Sequence, residues 1–178
     1  MSSGVPPQKL IRLSSPSVGF NGERILHPTT LTRNFAIKNG DSNEAMIARV
    51  KEGDRHVVFN CHGFPASPPN KAYLAIGQML FEDNVDACFP WMRISTLRII
   101  WLAACNIGGS GLPFCKKLAK TTGCYVVTNT GPSLDRAVKL GTIEDNYAAM
   151  PSYIKPSGEM IARDEFMALG SSLGFSRI

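Results

Sequence analysis

Several runs of apolar residues pass along the chain without polar interruption, and these set its organisation. Val57, Val58 and Phe59 are continuous and β-favouring within Arg55 to Asn60, and Ile99 to Ala103, with Trp101 at its centre, is a second such run. Short continuous runs bounded by turn residues predict strands buried on both faces, as in a parallel sheet. Cys124 to Thr128 predicts a third. Between the last two, Pro113 stands where a first-turn proline belongs, and Phe114, Cys115, Leu118 and Ala119 form an apolar stripe for a helix to about Thr121. Strand, helix and strand in about thirty residues make a βαβ crossover, so these two strands are expected to be parallel neighbours. The fold class is α/β.

Weaker patterns fill in the remainder. Lys9 to Leu13 and Phe35 to Lys38 read as peripheral strands. Asn39-Gly40-Asp41 is a turn, and Asp41 with Glu44 resembles a capping box opening a helix to about Lys51, with Ala45, Ile47, Ala48 and Val50 as its apolar side. The prolines of Phe64 to Pro69 predict a loop after the Val57 strand. Tyr73 to Ile76 reads as a hairpin strand closing at Gly77, and Glu82 to Met92 has helical character that Pro90 is expected to break. Ser133 to Leu140 reads as a short helix, Tyr153 to Ile161 as a hairpin around Pro156-Ser157-Gly158, and Arg163 to Leu169 as a last helical turn or two.

Composition narrows the class without naming a function. At 178 residues the chain suits one domain, expected over 9–178, behind a loose tail at 1–8. Its apolar fraction of 44% and charged fraction of 19% are ordinary for a soluble protein. No segment approaches the roughly 18 apolar residues of a membrane span, and no basic stretch with an apolar h-region opens the chain. A cytoplasmic protein is expected, unless a signal-independent route exports it. The 5 cysteines follow no framework spacing, so a reduced compartment is expected and at least one thiol is free. The net charge of +5 is scattered, and its densest group, Lys116, Lys117 and Lys120, reads as a solvated helix face. No zinc-finger, helix-turn-helix or interleaved basic-aromatic pattern suggests nucleic acid as a partner, and none suggests a membrane.

Two positions carry candidate chemistry. The Val57 strand ends in Cys61-His62-Gly63, and the Trp101 strand ends in Ala104-Cys105-Asn106 before Gly108, Gly109 and Gly111. In open parallel sheets functional groups gather outside the carboxyl ends of the strands, where both His62 and Cys105 are expected. A thiol attacks as thiolate, and a nearby imidazole takes its proton or returns one to a leaving amine. The backbone N–H groups of Gly63 and Cys105 are natural oxyanion donors. All 3 histidines (His27, His56, His62) precede Cys105, which rules out an α/β-hydrolase triad and a papain-like order. Cys61 is expected to point away from His62 and pack, and Cys88, Cys115 and Cys124 read as core. A metal site from Cys61, His62 and Cys105 is disfavoured, because adjacent Cys and His cannot easily turn to one ion.

Histidine first and cysteine about forty residues later, each behind an apolar strand, resembles the caspase-like cysteine peptidases. The stretch L-A-A-C-N-I-G-G-S-G-L-P-F-C-K-K-L-A-K-T-T-G-C-Y-V-V-T is most similar to CHAT-type domains and to the domain at the head of large bacterial cadherin-repeat surface proteins. The resemblance covers about Arg55 to Gly131. It implies a caspase-like three-layer sandwich with a mostly parallel central sheet, a His62–Cys105 dyad, and endopeptidase action on a protein or peptide through an acyl-enzyme, with no cofactor. It also implies a specificity pocket from Phe64 to Asn70, Asn106 to Gly111 and Asn129 to Asp135, with Asn106, Asn129 and Asp135 as substrate-binding residues; Asp135 would favour a basic P1 side chain. Cys61 replaces an expected small or hydroxyl residue, and Ala66 stands where such loops often have glycine. An inactive scaffold of the same fold and an exported effector peptidase remain open. The +5 charge is compatible with an anionic small-molecule activator.

Overall fold

The continuous apolar runs lie mid-sheet because their side chains are covered on both faces. The computed structural model describes residues 9–16, 31–104, 107–129 and 151–173. The main strands are β1 (Lys9–Ser14), β2 (Leu31–Ala36), β3 (His56–Asn60), β7 (Ile99–Ala103), β8 (Tyr125–Asn129), β9 (Pro151–Ile154) and β10 (Met160–Ile161). They form one seven-stranded sheet in the order β10-β9-β8-β7-β3-β1-β2. All the pairings from β2 to β8 are parallel, and β9 and β10 are antiparallel additions. The chain goes from β1 out to β2, returns past β1 to β3, and then steps outward through β7 and β8. The strand order therefore reverses between β1 and β3, the kind of place where α/β sheets open a crevice.

Period-two alternation divides the core. Val57, Phe59, Ile100, Leu102 and Val126 face one layer, which holds helix α1 (Asn43–Ile47), a 3₁₀ helix (Glu82–Arg93) and helix α2 (Leu112–Thr122). Val58, Ile99, Trp101 and Val127 face the other, where Phe166 and Met167 of helix α3 (Arg163–Ala168) and Leu173 of α4 (Gly170–Leu173) pack. This is a mixed α/β fold with a mostly parallel sheet, as expected. A second, three-stranded antiparallel sheet joins β4 (His62–Phe64), β5 (Tyr73–Ala75) and β6 (Leu80–Phe81). No helix among the described residues is long and apolar enough to cross a membrane.

The βαβ unit matches its prediction: β7 and β8 pair in parallel, α2 begins beside Pro113, and Gly123 caps it in the left-handed conformation at φ 70°. The hairpin of β9 and β10 likewise turns at Gly158, with φ 88°. Other expectations need correction. Strand β1 is not peripheral, since it lies between β2 and β3 with Leu10, Ile11 and Leu13 buried. Helix α1 is shorter than expected and is capped by Ser42, whose Oγ accepts from Ala45 N–H at 3.1 Å; Asp41 instead accepts from Lys38 N–H. Of its expected apolar side Ile47 and Val50 are buried, together with Met46, while Ala45 and Ala48 face solvent.

Pro90 does not interrupt its segment either. Val85, Cys88 and Trp91 are the buried residues of the 3₁₀ helix, spaced by three, which is the period of a 3₁₀ turn. Tertiary packing of that stripe, with Trp91 Nε1 donating to Ile47 O at 3.0 Å, offsets the N–H that proline lacks. The expected tail at 1–8 and the helix from Ser133 to Leu140 lie outside the described residues.

Candidate active site

At the carboxyl end of the sheet Ser14, Asn60 and Ala103 stand side by side in register, and Asn60 Nδ2 donates to Ser14 Oγ at 3.1 Å. Continuing the alternation of β3, Cys61 turns into the first core and is 3% exposed. Packing is therefore its role, as its position suggested. His62 is exposed, and the chain there has already entered β4, with His62 opposite Ala75 and Gly63 buried opposite Leu74.

The sequence predicts loop from Phe64 onward, yet Phe64 ends β4. The cause is a cross-strand aromatic ladder: Phe64 stacks on Tyr73 at 4.8 Å between ring centroids, and Tyr73 meets Phe81 at 4.9 Å. The backbone resumes as loop at Pro65. His62 thus sits on a short strand braced by its neighbours, not on an irregular loop.

On the neighbouring strand, β7 ends at Ala103, and Ala104 and Ile107 are both buried. Cys105, Asn106 and Asp135 lie outside the described residues. Two of the glycines that follow, Gly108 and Gly111, are dictated by close approach. A Cβ on Gly108 would come 2.5 Å from the Asn129 carbonyl carbon, and one on Gly111 would collide with the Ile107 carbonyl oxygen. Gly108 N–H donates to Asn129 O, which fastens the segment after Cys105 to the end of β8.

Asn129 was expected in a loop but is the last residue of β8, paired with Pro151. Its side chain is 0% exposed, and neither its Oδ1 nor its Nδ2 has a hydrogen-bond partner among the described residues. Ser110 and Ala66 form the other tie: Ala66 N–H donates to Ser110 Oγ at 2.9 Å, joining the loop after β4 to the loop before α2. Ser110 was not singled out by sequence. A hydroxyl set among glycines just past the candidate nucleophile was the available signal. Between these loops lies a cleft of about 260 Å³. It engages the first two segments expected to form a specificity pocket; of the third, only Asn129 is described.

The described thiols are poor competitors for chemistry. Cys61, Cys88, Cys115 and Cys124 are all buried. Burial pushes the Cys88 and Cys115 thiols up to about 12 and the Cys124 thiol up to about 11, so each stays protonated near neutral pH. Among the described residues no group of three His, Cys, Asp or Glu side chains is arranged to hold a metal ion. Compared with models of known protein families and with curated proteins, the chain matches none.

Proposed function

We propose that the protein is a cysteine peptidase of caspase-like fold, with His62 and Cys105 as its dyad. The observation that carries the reading is the pairing of Asn60 with Ala103 on adjacent parallel strands, because His62 and Cys105 each follow that pair by two residues. Two groups leaving one row at the carboxyl end of a sheet are candidates for one reaction centre. The buried state of the four described cysteines supports it further by leaving the chemistry to Cys105.

In the proposed reaction His62 takes the proton from the Cys105 thiol, and the thiolate adds to a peptide carbonyl carbon. The Gly63 and Cys105 N–H groups receive the oxyanion. Collapse of the tetrahedral adduct breaks the C–N bond, His62 hands its proton to the leaving amine, and a thioester remains on Cys105. Water, deprotonated by His62, then releases the acid and restores the thiol. General acid–base transfer of this kind contributes about 10²- to 10⁴-fold in rate.

Competitive alkylation tests the reading. With limiting iodoacetamide, Cys105 of the wild type should be labelled at least about tenfold faster than a free model thiol, and the excess should vanish in His62→Ala. Labelling of Cys105 at the model-thiol rate, unchanged in His62→Ala, would reject the dyad and leave the fold as a binding scaffold.

A further inference from the structure

The cleft between the two loops has one wall that starts at Ala66, four residues after His62, and another that starts at Ser110, five after Cys105. At about 260 Å³ the cleft is smaller than the roughly 300 to 1,000 Å³ of sites that enclose a drug-sized ligand, and is of a size for one long side chain. Its walls are mixed, with Pro68, Pro69 and Pro113 supplying apolar surface and Asn70 and Ser110 polar surface. Two ionisable groups line it, Lys71 and Glu82. The Lys71 ammonium is held by Asp83 at 2.7 Å. Lys117, from α2, is committed as well, to the Glu82 backbone carbonyl at 2.9 Å and to Asp86 at 3.5 Å.

Among the described residues no side chain hydrogen-bonds the Glu82 carboxylate or lies within ion-pair distance of it, although, behind Asp83, it adds to the pull that raises the pKa of the Lys71 ammonium. The neighbourhood sets three carboxylates (Glu82, Asp83, Asp86) against two ammonium groups (Lys71, Lys117), a local acidic excess on a chain of net charge +5. Partly apolar walls beside a half-buried glutamate that no side chain ion-pairs at close range suit a long aliphatic stem ending in a cation.

We infer that the cleft is a subsite for a lysine or arginine side chain of an extended peptide, with Glu82 as its specificity-determining residue. The inference relies on the peptidase reading only in taking that peptide to be the substrate. Four residues of chain span at most about 14 Å, so Ala66 stays within that distance of His62. An extended peptide rises about 3.4 Å per residue. The basic residue therefore falls within about four positions of the bond to be cut.

Binding is measured first, with the full chain carrying Cys105→Ala so that no turnover is needed. The probes are a fluorescein-labelled alanine-based peptide bearing one arginine and its citrulline counterpart, equal in shape and lacking the charge. The arginine peptide should bind about fivefold more tightly. Glu82→Gln should abolish the difference, and Lys71→Met, which removes the competing cation, should widen it. Equal binding of the two peptides, or a preference that survives Glu82→Gln, overturns the subsite. Digestion of unfolded casein by the wild type separates the two claims. Cut sites rich in nearby basic residues, and losing that enrichment among the cuts that Glu82→Gln still makes, support both. Cleavage with no such enrichment overturns the subsite alone, and absence of cleavage with arginine preference intact in binding counts against the peptidase reading alone.

Discussion

His56 shows how much a single buried ring can decide. It is 0% exposed, Trp101 Nε1 donates to its Nδ1 at 3.1 Å, and its Nε2 lies 2.8 Å from the Leu173 carbonyl oxygen. An indole N–H only donates, so Nδ1 must accept and the ring proton belongs on Nε2. A second proton would have to face the indole N–H. Burial is the largest influence on the ring and, against the pull of the Leu173 carbonyl, lowers its pKa from 6.5 to about 4. The unfolded chain therefore binds the proton first as pH falls. The contribution of the neutral ring is complete above pH 6.5, declines between 6.5 and about 4, and changes no further below. The total is on the order of 3 kcal/mol. Urea unfolding at pH 7 and pH 4.5 should show this loss in the wild type and a smaller one in His56→Gln, whose amide can make both hydrogen bonds without titrating. Equal losses in the two proteins would remove His56 from the acid response. Little of this was legible in the sequence, because burial of His56 depends on Trp101 and Leu173, which the chain brings together from far away.

At the level of elements, legibility followed contiguity. Strand β7, helix α2 and strand β8 were readable because each is a local run whose burial pattern matches its own period. Strand β2, with Thr32, Arg33 and Asn34 within it, was placed too late in the sequence, since its backbone pairing with β1 defines it more than its side chains do. The 3₁₀ helix was misjudged because Pro90 was weighed as a local breaker, without the buried stripe of Val85, Cys88 and Trp91. That stripe, and not the proline, should carry its stability. Val85→Ala is expected to cost about 2 kcal/mol, and Pro90→Ala less than about 1 kcal/mol in either direction, both read from denaturant midpoints at unchanged m-value. Equal costs would mean that the fixed backbone of Pro90 matters as much as the packing beneath it.

For the whole molecule, the distribution of cysteines makes a simple prediction. Titration with a disulfide reagent should find one fast thiol in the native protein and all 5 after denaturation. Several fast thiols would contradict the burial of Cys61, Cys88, Cys115 and Cys124; none would leave the proposed reaction without its nucleophile. The burial of the His62 and Cys105 strands could be anticipated from their apolar runs, whereas their direct pairing and the cleft with Glu82 could not, the cleft depending on a segment twenty residues beyond His62 folding back against α2. The hydrogen bond from Ala66 to Ser110 has a practical side. Because it fixes the two loops to each other, neither can be lengthened or replaced without moving its partner. Anyone retargeting this protein should transplant 66–72 and 110–114 together, as one cassette.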